Sequence, residues 1–113
     1  MSGSRSVLVV EYFCAGGGGS RIAPGVRREA RAILEALLTD FAAVPGVRVV
    51  TLRRPGLDLP LPPPHEARSV PAGPDPVLMA ALRGALRGVE AALVVAPERD
   101  GVLLRLTRAV EAS

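Results

Sequence analysis

Residues 11–19 combine a carboxylate, two aromatic rings, a thiol and four consecutive glycines, and they directly follow the apolar run Val7–Val10. A helical pattern begins a few residues later. A strand, a glycine loop and a helix in this order form an anion site in many α/β proteins. The glycines let backbone N–H groups approach the ligand, and the helix N-terminus adds partial positive charge. This segment is therefore the first candidate for a functional site.

Two further segments are expected at the same edge of the molecule. Open parallel sheets bind their ligands beyond the carboxyl ends of the strands, and residues 53–55 and 97–101 follow the second and third predicted strands. The candidate site residues collected at this edge are Glu11, Cys14, Gly16, Gly17, Gly18, Gly19, Ser20, Arg21, Glu98 and Asp100.

The residue types leave several interpretations of this edge open. The glycine run lacks the dinucleotide fingerprint, since Arg21 stands where a glycine is needed and no acidic residue ends the second strand. A phosphate or carboxylate cradle and a flexible turn without a ligand remain. Glu11 ends a buried strand, where an unpaired charge is costly. Its carboxylate could contact an amine or amide of a ligand, pair with Arg21, or cap a neighbouring helix.

Composition excludes several kinds of active site. All 14 basic residues are arginine, so neither a Walker A lysine nor a Schiff-base lysine is available. The only cysteine, Cys14, and the only histidine, His65, are far apart in the sequence, and His65 lies in a proline-rich segment. We therefore assign no catalytic residue and no metal site, and we interpret Cys14 as a small buried side chain.

Charge and hydropathy indicate which partners and which cellular compartment to expect. The net charge is +3, and Arg27, Arg28 and Arg31 alternate with Glu29 and Glu35, which is typical of a solvated helix face. Neither nucleic-acid binding nor a membrane partner is expected, because there is no basic stripe with aromatics and no apolar run near the roughly 18 residues that span a bilayer. The single cysteine fits a reducing compartment, so the cytoplasm is the expected location.

Hydrophobic periodicity predicts one α/β domain over residues 1–113. Strands are predicted at 7–10, 47–52 and 91–96 and helices at 26–41, after Asp75 and after Asp100, with both aspartates as N-caps. Residues 53–76 contain eight prolines and are predicted to be an irregular surface loop. The resulting order, β-α-β-α-β-α, indicates a three-layer, Rossmann-like open parallel sheet.

Three blocks of sequence carry a family resemblance: Val9–Gly18, Arg28–Phe41 and Ala91–Glu98, the last followed by Asp100-Gly101. In order and spacing they resemble the N-terminal pre-ATP-grasp domain of ATP-grasp carboxylate–amine ligases, specifically the tyramine–glutamate ligase-like proteins. That domain has a Glu-Tyr-Phe-Cys-Gly-Gly-Gly segment, a helix with Glu-Gly-Arg-Ala-Met-Leu that ends in Asp-Phe, and a strand that ends in Ala-Pro-Glu. Ala15 and Ala30 depart from the pattern, which has glycine at both positions.

The resemblance implies a function for the parent protein. Such ligases form a C–N bond with ATP and Mg²⁺, which an ATP-grasp portion binds, and this chain is expected to be truncated before that portion. The 113 residues alone are then expected to hold no cofactor and to be inactive. The matching positions Glu11, Gly16–Gly19 and Glu98 are implied as substrate contacts, with Ser20 and Arg21 beside them. The implied strand order places the first strand between the second and third.

The predicted sheet also has an implication for partners. No fourth strand is predicted after the third helix, so one edge of the sheet is expected to be open. An ATP-grasp catalytic domain or chain, or a second copy of this chain, is the expected occupant. The alternative function is a free-standing module of the same fold that binds a small anion or a protein.

Overall fold

A computed structural model of the chain describes residues 5–97 and 100–113. Its strands and helices are β1 (Arg5–Glu11), α1 (Pro24–Ala42), β2 (Val47–Arg53), β3 (Glu66–Ser69), α2 (Asp75–Leu86), β4 (Ala91–Val95) and α3 (Val102–Glu111). A short 3₁₀ helix, Gly19–Arg21, lies between β1 and α1. The predicted α/β class with an open parallel sheet is confirmed.

The sheet is parallel throughout, with the strand order β3-β2-β1-β4. Leu8, Val9 and Val10 of β1 have no exposed surface, because this strand has a neighbour on each side and helices over both faces. A continuous Val/Leu run is typical of such a strand. The predicted central position of the first strand is therefore confirmed.

Alternate residues of β1 and β2 pack into two separate cores. Val9 and Val49 face α1, whose Ala30, Leu34 and Leu38 are buried at every fourth position. The opposite face of the sheet packs against α2 and α3. In the part of the chain that the structure describes, no helix is long and apolar enough to cross a membrane.

Apolar side chains recur along α1 at steps of three and four, but not all of them are buried. Val26 and Ile33 belong to this apolar pattern, and each is 40% exposed. The helix packs against β1 and β2, and the buried row runs through Ala30 and Leu34 instead. Two apolar side chains of α1 therefore remain accessible on the side nearest β4.

The prediction that 53–76 is an irregular surface loop was wrong in part. Residues 66–69 form β3, a fourth strand, which pairs with β2 from Val50↔Glu66 to Arg53↔Ser69. The Val49 N–H donates to His65 Nδ1 at 3.1 Å just before this strand begins. A short edge strand with exposed charges has little apolar periodicity, so the surrounding prolines dominated the pattern. Leu57 and Leu59 are also buried, beneath α1.

Both predicted aspartate caps were wrong. Asp75 is the first residue of α2, follows Pro74, and makes no cap hydrogen bond. Its carboxylate instead accepts from the Tyr12 hydroxyl at 2.8 Å. The residue before α3 is Gly101, with φ 69°, and the carbonyl of Asp100 accepts from the Arg105 guanidinium at 2.7 Å. A long-range partner thus engages the Asp75 side chain, whereas Asp100 lies one residue too early to cap α3.

Candidate functional site

The loop after β1 is held between the ends of its two neighbouring strands. The Tyr12 N–H donates to the carbonyl of Val95 in β4 at 2.9 Å, and the Arg54 N–H donates to the carbonyl of Cys14 at 2.6 Å. Two backbone hydrogen bonds therefore attach the loop to β4 and to the end of β2. The segments that follow β1 and β2 meet at one edge, as the strand order requires.

Glu11 is a buried carboxylate at the start of this loop. Only 3% of its surface is exposed, and Oε1 accepts from the Cys14 N–H at 2.7 Å. Burial raises the pKa of Glu11, and the hydrogen bonds from Cys14 and Phe13 oppose that rise. The structure gives Glu11 a local role that was not among the predicted ones, because the carboxylate caps its own turn. A substrate contact for Glu11 stays a prediction.

Cys14 has the environment of a structural thiol. It is 3% exposed, and burial, followed by the charge of Glu11, raises the pKa of this thiol to about 12. The guanidinium groups of Arg54 and Arg31 act in the opposite direction without reversing the shift. A thiol that stays protonated at neutral pH is a poor nucleophile, which agrees with its interpretation as a small buried side chain.

Packing and turn geometry account for several of the glycines. A Cβ on Gly17 would lie 2.3 Å from the Tyr12 ring, and one on Gly18 would lie 2.3 Å from the Ile22 side chain. Gly16, Gly18 and Gly19 have positive φ angles, which only glycine adopts at little cost. The loop thus needs glycines whether or not a ligand binds.

Two amides of the loop are already used within it. The Gly16 N–H donates to the carbonyl of Phe13 at 3.1 Å, and the Gly17 N–H donates to that of Tyr12 at 2.9 Å. Arg21 is exposed in the 3₁₀ helix. Glu98 lies outside the described residues, as does the side chain of Ser20. Substrate binding by this predicted set stays a prediction.

A basic cavity beside the loop was missed by sequence reasoning. It has a volume of about 180 Å³ and is lined by Phe13, Cys14, Arg27, Arg28, Arg31, Arg54 and Leu57. Three of its arginines come from the first turns of α1, and one follows β2. Spacing four apart places Arg27 and Arg31 on one helix face, but only the fold brings Arg54 to them. We call these four arginines and their cavity the arginine pocket.

Two arginines of the arginine pocket also fix its walls. Arg27 Nη2 donates to the carbonyl of Gly19 at 2.9 Å, and Arg31 Nη2 donates to that of Asp58 at 2.9 Å. Arg31 also pairs with Glu35, one turn along α1, at 3.3 Å. These contacts join α1 to the glycine loop and to the proline-rich segment. The arginine-bearing face of α1 was predicted to be solvated, but two of its guanidinium groups hydrogen-bond to backbone carbonyls of the protein.

A second depression lies between α1 and the edge strand β4. Its volume is about 360 Å³, and it is lined by Glu11, Phe13, Val26, Glu29, Ala30, Ile33, Val95, Ala96 and Pro97. The exposed side chains of Val26 and Ile33 belong to it. We call this depression the α1–β4 groove. Its lining is mainly apolar, and Glu11 reaches its border from the loop after β1.

Comparison with known proteins gives one family. A family model described as "pre ATP-grasp 3 domain" matches residues 47–113, which is more than half of the chain and runs from β2 through α3. The match includes the proline-rich segment, whereas the loop after β1 lies before it, so the domain bounds 1–113 stay a prediction. No curated protein and no solved structure gives a match. The chain belongs to the pre-ATP-grasp 3 domain family.

Proposed function

We propose that this domain is the substrate-side module of an ATP-grasp carboxylate–amine ligase, of the tyramine–glutamate ligase-like kind. The family match to residues 47–113 is the observation that carries the proposal. The blocks of sequence around the loop after β1 and around α1 support the finer assignment. On this proposal the substrate lies at the edge where β1, β2 and β4 end.

ATP and Mg²⁺ bind elsewhere in this proposal. The chain has no lysine for a Walker A contact to a nucleotide, and two amides of the glycine loop are bonded within the loop. The arginine pocket, at about 180 Å³, is below the roughly 300–1,000 Å³ of pockets that take drug-sized ligands. An ATP-grasp portion holds the nucleotide and the metal, and the isolated 113-residue chain neither binds ATP nor catalyses ligation.

The proposed substrate contacts are those implied by the resemblance. Glu11 borders the α1–β4 groove, and its buried carboxylate can accept from a substrate amine that approaches through that groove. The glycine loop, with Ser20 and Arg21, lies at the same edge of the sheet as Glu11. Glu98 follows β4 in the sequence and completes the set.

The α1–β4 groove is the proposed surface for the ATP-grasp portion. Val26 and Ile33 are each 40% exposed there, and within the described residues β4 has a neighbour in the sheet on one side only. An unpaired strand edge beside apolar side chains favours association. A second copy of the chain is the competing occupant, and it would appear as a concentration-dependent dimer in sedimentation.

The test is reconstitution with the catalytic portion. An ATP-grasp reading frame continuous with or adjacent to this one is expressed alone, with the 113-residue chain, and with a Val26→Asp/Ile33→Asp double variant. We expect ADP release with a carboxylate and an amine only when the unaltered chain is present. In parallel, calorimetry with the isolated chain should give no tight ATP binding. Tight ATP binding by that chain would contradict the proposal.

A free-standing module that binds a small anion or a protein is the second candidate function. The arginine pocket is the observation that favours it, because four guanidinium groups around a cavity suit an anion. This function predicts that a metabolite screen shifts the NMR signals of residues 16–21 or of the pocket residues Cys14 and Arg54 without any catalytic portion. A screen that leaves those resonances unmoved would exclude it.

A further inference from the structure

We propose that the arginine pocket binds a small oxyanion that carries at least two negative charges, a phosphate group or a pair of carboxylates. The pocket lies where β1 and β2 end, which is the usual position of ligand sites in open parallel sheets. Its lining contains none of Gly16–Gly19, although Arg27 donates to the carbonyl of Gly19, and it shares only Phe13 with the α1–β4 groove.

The charge around the arginine pocket is largely uncompensated. Among the described residues, Arg31 is the only one of its four arginines within ion-pair distance of a carboxylate, that of Glu35 at 3.3 Å. Arg27 donates to a neutral carbonyl. Like charges that converge on one cavity repel each other, and an anion with two charges relieves that repulsion more than a monovalent anion does.

Two of the guanidinium charges act on the buried residue at the wall of the pocket. Arg54 and Arg31 both act to lower the pKa of the Cys14 thiol, although burial and the charge of Glu11 outweigh them there. Leu57 lines the pocket as well and is 3% exposed. Apolar, buried lining beside guanidinium groups keeps the local dielectric low, which strengthens the attraction for an anion.

The size of the pocket limits the ligand. A water molecule occupies about 30 Å³ of liquid, so a cavity of about 180 Å³ has room for a phosphate group or a short dicarboxylate. It is too small for a whole nucleotide, by the comparison with drug-sized pockets given above. Arginine also suits these ligands in shape, because its planar fork donates two parallel hydrogen bonds to a carboxylate or phosphate.

The identification of this anion as part of a ligase substrate rests on the proposed function, whereas anion binding itself does not. An acidic substrate could place its distal charged group in the arginine pocket and its reacting carboxylate or amine near Glu11. The binding test below therefore uses the 113-residue chain without ATP or a catalytic portion. A failed reconstitution and a failed binding test are then separate results.

The test is a titration followed by NMR at constant ionic strength. Inorganic phosphate and succinate are the divalent probes, and acetate and chloride are the monovalent controls. The variants are Arg54→Gln and Arg28→Gln, with Arg87→Gln as a matched control that removes the same charge from an exposed position at the end of α2. Arg28 is exposed on α1, so its variant is expected to fold normally.

We expect phosphate, succinate or both to shift the amide signals of Cys14 and Arg54 in a saturable manner. Each pocket variant should weaken that binding about tenfold or more, because a charge-assisted hydrogen bond is lost, and Arg87→Gln should leave it nearly unchanged. The divalent probe that saturates first identifies the preferred class. Equal responses to acetate or chloride, or equal weakening by Arg87→Gln, would overturn the proposal in favour of general electrostatic attraction.

Discussion

The carboxylate of Glu11 accepts a hydrogen bond from the backbone N–H of Cys14 at 2.7 Å, in a position where only 3% of Glu11 is exposed. This contact turns the chain as it leaves the central strand. It also fixes the segment that places Phe13 in the lining of both the arginine pocket and the α1–β4 groove. A buried acid at the end of β1 is therefore part of the architecture of the site.

Substitution of Glu11 should separate its hydrogen bond from its charge. Glu11→Gln retains an oxygen that can accept from the Cys14 N–H, whereas Glu11→Leu leaves that buried donor without a partner. We expect the leucine variant to be less stable than the glutamine variant by about 1–3 kcal/mol. Urea unfolding of both variants at one pH measures the difference. Equal stabilities would show that the contact contributes nothing.

The same pair predicts a pH dependence of stability. Burial holds the pKa of Glu11 above its ordinary value of 4.5, so the folded state retains a proton that the unfolded state has released. The stabilising contribution of Glu11 is then complete below pH 4.5 and declines as the pH rises through the folded pKa. As the pH rises from 4.5 through the folded pKa of Glu11, the wild type should therefore lose stability relative to Glu11→Gln. A relative gain by wild type would contradict the prediction.

The thiol of Cys14 should be unreactive in the folded protein. Its pKa is raised to about 12, so almost no thiolate exists at mildly alkaline pH. We expect maleimide labelling of this single cysteine to be slow and to accelerate with denaturant, in step with unfolding. Labelling at the rate of a free thiol without denaturant would contradict the buried position and reopen a nucleophilic role.

The hydroxyl of Tyr12 links the loop after β1 to the start of α2. It donates to the carboxylate of Asp75 at 2.8 Å. Tyr12→Phe should lower the free energy of unfolding by about 1–2 kcal/mol. This is the lower end of the range for a hydrogen bond to a charged group, because Asp75 is only half-buried. Burial and Asp75 also raise the pKa of Tyr12 above 10.0. Since this is the only tyrosine, absorbance titration reports it directly. Asp75→Asn should lower that pKa.

Alanine substitutions at three glycines should distinguish the cost of a steric clash from the cost of an unfavourable backbone conformation. Gly17→Ala places a methyl group against the Tyr12 ring and should cost about 1–3 kcal/mol. Gly19→Ala has free space but a φ of 64°, so about 1 kcal/mol is expected. Gly84→Ala, in open space on α2, should stabilise by about 0.5–1 kcal/mol. Thermal unfolding ranks the three, and a neutral Gly17→Ala would refute the packing argument.

The proline-rich segment should contribute to stability through its buried leucines. Leu57 is 3% exposed, and Leu57→Ala should cost about 2–4 kcal/mol, as expected for a cavity in a core. Leu61→Ala, at a half-buried position, should cost clearly less. Denaturant unfolding compares the two. If the segment were an irregular surface loop, neither substitution would change the free energy of unfolding appreciably.

Local patterns predicted most of the elements and part of the site. The continuous run Val7–Val10 indicated a strand buried on both faces, and the strand order then placed the loop after β1 at a ligand-binding edge. Strand β3 was missed because pairing with β2, rather than its own apolar pattern, makes it a strand. The role of Asp75 was missed because its carboxylate is engaged by the distant Tyr12 hydroxyl, and the prediction for Asp100 failed because Gly101 directly precedes α3.

The sequence by itself determined the α/β class and the buried first strand, which depend on residue type and short-range periodicity. The pre-ATP-grasp family was indicated by the resemblance of three sequence blocks in their order and spacing. Only the tertiary structure decided that Arg54 lies beside Arg27, Arg28 and Arg31, and that Glu11 caps its own turn instead of pairing with Arg21. The strand order and the packing of α1 bring these residues together, and neither can be deduced from residues that are neighbours in the sequence.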